Sequence, residues 1–198
     1  MPIPFELAIT MLPQDEIRPD YLLALYSLVL DLPKPALILE IGCWLGQSTL
    51  MMACAGQGTD THIISVDPVF VYGEHSSIKE PGRIFTYRSS LIALMLRIGS
   101  ARLDGYISIV PEFSERLITR WDNRQLDFLL VDGERSPDAV SRDCFWMQHV
   151  KPGGYCAFDD WHLEPVRASV GKYMESHPEW EIFRDDATTP FLRKKLPE

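Results

Sequence analysis

The chain has 198 residues, 46 % of them hydrophobic and 24 % charged, which is enough apolar material for one folded domain with a full core. Its 19 Lys and Arg against 28 Asp and Glu leave a net charge of −9, so the surface repels phosphate backbones and nucleic acid is not expected as a partner. No apolar run approaches the ~18 residues of a membrane span, and no basic region precedes an apolar run at the amino terminus; no membrane partner is expected, and the chain reads as cytoplasmic.

Cys43, Cys54, Cys144 and Cys156 lie inside apolar patterns and form no Cys-x-x-Cys pair. That pattern favours buried free thiols in a reducing interior over a disulfide framework or a zinc site.

Residues 1–35 read as an arm and a leading helix. Met1 to Pro13 is apolar but broken by Pro2, Pro4 and Pro13, which predicts an irregular arm, packed on the surface or laid across a partner in a homo-oligomer. From Pro19 to Leu30 the apolar residues Leu22, Leu25, Tyr26 and Val29 recur at helical spacing, with Pro19 suited to a first turn. Leu37 to Glu40 is a short apolar strand, and Ile63 to Asp67 is a second. Residues 69–88 combine Pro81, Gly73 and Gly82 with His75, Lys79 and Arg83, too polar and punctuated for a core element, and read as a loop over a pocket. Ser89 to Leu103 carries Leu91, Leu94, Met95 and Ile98 as a helical stripe, followed by a strand from Tyr106 to Val110.

Ser114 is placed to cap a helix with Leu117, Ile118 and Trp121 on one face. Leu126 to Val131 is a nearly unbroken apolar strand, as expected where helices cover both faces of a sheet. Ser136-Pro137 opens a helix with Val140, Cys144 and Met147 inward, and Lys151-Pro152-Gly153-Gly154 stops it. A strand from Tyr155 to Phe158 runs into Asp159-Asp160-Trp161. A helix with Val166, Val170, Tyr173 and Met174 follows, then a closing pair of strands near Trp180 to Arg184 and Pro190 to Arg193. Strands alternating with helices in this way make a doubly wound, Rossmann-like α/β sandwich.

The informative stretch is the passage from Glu40 through Gly42, Cys43, Trp44, Leu45 and Gly46 into Gln47, Ser48 and Thr49. A strand that passes through a glycine turn into a helix offers backbone N–H groups and a positive dipole end at the edge where open α/β sheets bind ligands. The middle glycine that admits a pyrophosphate is missing, and no Gly-Lys-Ser/Thr follows, so the turn suits an adenosine ligand without phosphates. Asp67, about 20 residues further on at a strand end, is positioned for ribose hydroxyls.

Glu40-x-Gly42-x-x-x-Gly46 resembles motif I of the class I S-adenosylmethionine-dependent methyltransferases. Val131 to Ser136, together with Lys151-Pro152-Gly153-Gly154 and Asp159-Asp160-Trp161, is similar to the small bacterial O-methyltransferases of the macrolide-sugar type and more distantly to the catechol O-methyltransferases. The resemblance implies a sheet of seven strands, mostly parallel, with one antiparallel strand at the edge. It implies S-adenosylmethionine as cofactor, held by Glu40, Gly42, Cys43, Trp44, Gly46, Ser48, Thr49, Asp67, Pro68 and Asp132, with Phe113 and Ser114 beside the adenine; a helix start next to a core aromatic explains the last two equally well.

Asp132, Asp159 and Asp160 follow two strands that, as neighbours, bring three carboxylates to one place, where a metal or a raised pKa must offset their repulsion. The resemblance implies a hard divalent cation, Mg²⁺ or its like, on these three, although turn capping would also account for such acids. Arg135 stands where the family usually has a His or Lys base, and a guanidinium cannot take a proton. Asp132, Arg135, Asp160 and His162 are the catalytic candidates, with Arg135 open to a carboxylate or phosphate clamp or to plain surface exposure. The expected activity is metal-assisted O-methylation of a small hydroxylated metabolite. A metal-independent N- or carboxyl-methyltransferase, or a non-catalytic binder of the same cofactor, fits the fold as well.

Overall fold

A computed structural model describes residues 1–13, 18–68, 87–184 and 189–197, the side chains of 87–90 excepted. Among the described residues seven strands form one sheet: β1 (Ala36–Ile41), β2 (Thr61–Val66), β3 (Ile107–Val110), β4 (Leu126–Val131), β5 (Val150–Phe158), β6 (Trp180–Arg184) and β7 (Phe191–Lys194). Their order is β3-β2-β1-β4-β5-β7-β6, with β7 alone running antiparallel to its neighbours. The antiparallel strand therefore lies one in from the edge, and β6 is the edge strand, because the closing hairpin folds back so that its second arm meets β5.

Alternation along the strands sends side chains to two cores. Ala36, Ile38, Ile63, Phe128, Leu130 and Ala157 meet helices α1 (Phe5–Met11), α2 (Pro19–Asp31), α3 (Gln47–Gly56) and α4 (Tyr87–Ser100). Leu39, Ile41, Ile64, Leu129, Val131 and Phe158 meet the other layer, which includes α6 (Pro137–Cys144) and α7 (Glu164–Glu175). The expected stripes of α2 and α6 hold, with Leu22, Leu25, Tyr26, Val29, Val140 and Cys144 buried; Met147 is buried too, but in the 3₁₀ turn Phe145–His149 that follows α6. The cap is also as expected, Ser136 Oγ accepting from Ala139 N at 3.4 Å. All four cysteines are buried and free.

Local expectations fail in four places. Met1 to Pro13 is not an irregular arm: Pro4 precedes and Pro13 follows a two-turn helix, α1, so the prolines frame it without interrupting it. It packs against α3 and α2, with Ala8 buried, Tyr26 Oη donating to Ile3 O at 2.8 Å and Phe5 edge-on to Tyr26 at 5.6 Å. Helix α4 begins at Tyr87 and ends at Ser100, and Met95 faces outward while Leu94 and Ile98 are buried. The loop expected over 69–88, His75 included, lies outside the described residues up to Tyr87.

The Ser114 helix is a single turn, α5 (Ser114–Leu117), continued by a 3₁₀ turn over Ile118–Arg120, and Trp121 lies beyond it against Trp146 at 5.2 Å. Lys151-Pro152-Gly153-Gly154 does not separate helix from strand but belongs to β5. Two steps along β4, Leu126 to Phe128, match five along β5, Val150 to Tyr155, so the excess is absorbed as a bulge.

The chain order reverses between β1 and β4, the first leading out to β2 and β3 and the second to β5. Crevices at such a reversal, beyond the carboxyl ends of the strands, are where open α/β sheets take ligands. Backbone bonds run one residue past the strands, Gly42 N to Val66 O at 2.8 Å, Asp67 N to Val110 O at 3.1 Å, Asp132 N to Ile41 O at 2.8 Å and Asp159 N to Val131 O at 2.9 Å. Gly42, Asp67, Asp132 and Asp159 are thus aligned along one edge.

Gly42 has φ +85°, and a Cβ there would stand 2.9 Å from Gly133 Cα and overlap the Asp132 carbonyl. Gly42→Ala is therefore expected to lower unfolding free energy in urea by roughly 2–4 kcal/mol, from left-handed strain plus the forced separation of β1 and β4. Gly99→Ala, where nothing stands within 4 Å, should not destabilise.

Candidate active site

The turn after β1 is held from two sides. Beneath it Glu40, fully buried, accepts hydrogen bonds from Ser48 Oγ, from Thr49 Oγ1 at 2.5 Å and from Ser65 Oγ at 2.7 Å. Burial pushes the Glu40 carboxyl up, and the three hydroxyls pull it back toward ionisation. From the β2 side the Asp67 carboxylate, 4 % exposed, accepts from Cys43 N at 3.0 Å and Trp44 N at 2.9 Å through Oδ2. Trp44 at φ +43° and Gly46 at φ +84° complete the bend. Glu40, Ser48 and Thr49 thus face one another inside the fold, while Gly42, Trp44 and Gly46 shape the edge.

Gly46 stands at the N-cap of α3 and offers no capping side chain, so the first turn of the helix is presented to the edge and suits an anionic group such as a methionyl carboxylate. Burial, then Glu40 and Asp67, push the Cys43 thiol well above its usual range, which makes it unreactive. Pro68 follows Asp67, half-buried. These residues fit the S-adenosylmethionine that the resemblance implies: uncapped amides for the amino-acid end and a strand-end carboxylate for the ribose.

Ser114 is not the cap expected of it. Phe113 occupies the cap position, half-buried under the Arg116 guanidinium at 5.5 Å, and Ser114 opens the helix with its hydroxyl donating to Asp143 Oδ1 at 2.5 Å. Asp143, on α6, draws the hydroxyl across; no spacing rule in the sequence links positions 29 apart. Burial pushes the Asp143 carboxyl up to about 6, against the pull of Ser114.

Asp132, Asp159 and Asp160 come together as expected, each offering an oxygen within 4.8 Å of the others. Arg135 Nε donates to Asp160 Oδ2, and Arg135 Nη2 stands 3.4 Å from Asp132 Oδ1. Both oxygens of Asp159 are engaged, Oδ2 by Arg18 Nη2 at 2.6 Å and Oδ1 by Thr189 Oγ1 at 2.5 Å. Burial, then Asp159, push the Asp132 carboxyl well above the usual range, and Arg135 opposes the shift. His162 is exposed on the turn after β5 and makes no hydrogen bond to the three acids.

The oxygen donors suit a hard cation, but the charge balance does not. Arg135 spans two of the carboxylates and Arg18 holds the third, so a magnesium ion does not fit the cluster as it is held. The raised pKa expected as one offset to the repulsion among the acids is present at Asp132, and the guanidinium groups add an offset that was not expected.

Arg18 and Thr189 were not legible in the sequence, since each reaches Asp159 from a distant segment. Tyr21, on the first turn of α2, carries no motif in the sequence. It is buried under the Arg18 guanidinium at 4.3 Å, and its hydroxyl has no hydrogen-bond partner among the described residues.

A seven-stranded sheet with a glycine turn, a strand-end Asp and acids across the order reversal agrees with what the resemblance to the S-adenosylmethionine-dependent methyltransferases implies. Residues 39–161 match the family model described as "Methyltransferase domain", and the chain belongs to that family. Among solved structures it is similar to the O-methyltransferase NovP, with TM-score 0.71 and 16 % identity over 91 % of this chain and 81 % of that one. It is similar to the methyltransferase PaMTH1 of Podospora anserina bound to S-adenosylhomocysteine, with TM-score 0.69 and 14 % identity over 97 % and 86 %. A third is the O-methyltransferase of Bacillus cereus with S-adenosylhomocysteine, with TM-score 0.62 and 15 % identity over 95 % and 88 %. A search of curated protein sequences returned no match.

Asp143 titrates near pH 4 when unfolded and near 6 when folded, so folding takes up a proton between those values and stability falls as pH rises across them. Asp143→Asn can still accept from Ser114 and removes the penalty. In urea denaturation it should be more stable than the parent by roughly 2–3 kcal/mol above pH 7, with the gap narrowing at pH 5.

Proposed function

We propose that the chain methylates a hydroxyl group of a small metabolite, with the donor on the β1–β2 side of the order reversal and the acceptor on the β4–β5 side. The observation that carries this reading is the placement of Asp132, one strand over from the glycine turn and joined to it by the Asp132 N to Ile41 O bond. S-adenosylmethionine supplies an electrophilic methyl group: the acceptor oxygen bonds to its carbon as the carbon–sulfur bond breaks and the electron pair stays on sulfur.

The chain's own part is alignment and proton removal. Asp67 and the uncapped amides of α3 hold the donor. Asp132 is the acid with most capacity left to accept a proton: both Asp159 oxygens are engaged, Asp160 is bonded closely to the Arg135 Nε, and Asp132 meets Arg135 through one oxygen at the longer distance of 3.4 Å. Its side chain is 25 % exposed at the sheet edge, and a hydroxyl presented there transfers its proton to the carboxylate as the oxygen attacks. Arg135 and Asp160 keep Asp132 oriented. His162 and the capping function first assigned to Ser114 have no place in this scheme. The magnesium ion implied by the resemblance would have to displace Arg135 before sharing Asp132 with Asp160, so proton removal falls to Asp132 itself.

Two measurements test the scheme. Calorimetry should show S-adenosylhomocysteine binding that weakens by about 10-fold or more in Asp67→Ala, since that change removes both a ligand contact and the tie to the turn. Asp132→Asn should bind S-adenosylhomocysteine as the parent does yet lose about 10²–10⁴-fold in methyl transfer to hydroxylated acceptors, read by radiolabel from the donor's methyl group. Transfer that survives Asp132→Asn would remove it as the base.

A further inference from the structure

We infer that Arg18 and Arg135 occupy the role of a divalent cation in the acidic cluster, making it an internal carboxylate–guanidinium site that excludes metal. The inference rests on the cluster being the acceptor side of the site proposed above. Each of the three carboxylates touches a guanidinium: Asp159 that of Arg18 at 2.6 Å, Asp132 that of Arg135 at 3.4 Å, and Asp160 the Nε of Arg135.

Two fixed positive charges set against three negative ones leave little for a dication to neutralise, and guanidinium does not shed its proton to make way. Arg135 bridges Asp160 and Asp132 as a fork, through Nε and Nη2, which places its charge between the oxygens that a metal would have to share. Arg18 is held as well. Its guanidinium lies 4.3 Å from the centre of the Tyr21 ring, and its partner Asp159 is fixed on the other oxygen by Thr189. A dication brought among these oxygens meets two like charges at close range.

Arg18 and Thr189 belong to segments on opposite sides of the cluster in the chain, one ahead of α2 and one ahead of β7, and both converge on Asp159. The clamp therefore also ties the amino-terminal layer and the closing hairpin to the carboxyl end of β5. In this arrangement Arg18 and Arg135 are positioning residues: they hold Asp159 and Asp160 in place and leave Asp132 to face the acceptor.

The test uses manganese(II) as the probe, titrated into the full chain and followed by the electron paramagnetic resonance signal of the free ion. It is run with and without S-adenosylhomocysteine, so that failure to bind the latter counts against the donor site alone. The parent chain should leave the ion signal undiminished over the range in which Arg18→Ala/Arg135→Gln takes up manganese at least about 10-fold more tightly, as expected when two repelling charges are removed. Adding Asp132→Asn to the double variant should abolish the gain. Manganese uptake by the parent that Asp132→Asn abolishes would overturn the inference. So would a double variant that is folded by circular dichroism and gains no uptake. Should the double variant not fold, Arg135→Gln alone decides: increased uptake supports the clamp and unchanged uptake overturns it.

Discussion

A buried carboxylate holds the site together. Glu40, one residue before the end of β1, lies inside the sheet, where an unpartnered charge would be strongly disfavoured, and three hydroxyls satisfy it: Ser48 and Thr49 from the first turn of α3 and Ser65 from β2. One side chain thereby fixes the helix that follows the turn to the strand that precedes it and to that strand's neighbour. The bend between Gly42 and Gly46 has little freedom left, and Asp67 takes up the rest by accepting from Cys43 N and Trp44 N. A ligand at this edge meets amides already in position, so little ordering is left for the moment of binding.

The second constraint is steric. Gly42 lies so close to the backbone of Asp132 that no side chain fits between them, and this closeness sets the distance between donor and acceptor sides. β1 and β4 are hydrogen-bonded neighbours, and their carboxyl ends finish together. The acidic cluster follows from the same register, since β5 pairs with β4 and ends one strand further on. What keeps such a concentration of carboxylates in one place is charge supplied by arginines, one from the same loop as Asp132 and one from the amino-terminal layer. The overall charge of −9 does not describe this local balance.

The differences between expectation and structure have physical reasons. Prolines at 2, 4 and 13 suggested a broken segment, but none falls within Phe5–Met11, and burial of Ala8 against the neighbouring helices supplies what so short a helix lacks by itself. Pro-Gly-Gly has the composition of a stop, yet β5 runs through it because a bulge absorbs the surplus residues while pairing with β4 resumes at Tyr155. Ser114 has a cap's chemistry but opens the helix one residue past the cap position, and its hydroxyl goes to a buried carboxylate from α6.

The sequence by itself determined the alternation of strands and helices, the glycine turn, and the placement of Asp67, Asp132, Asp159 and Asp160 just past strand ends. All of these rest on local periodicity or on residues placed at the ends of elements, which carry information over a few positions. The tertiary structure alone decided that Glu40 points inward to three hydroxyls, that β7 lies inside β6, and that Arg18 and Thr189 close on Asp159. Each of these joins segments far apart in the chain, and such a pairing is settled by packing and charge in the folded state, where no spacing rule along the sequence reaches.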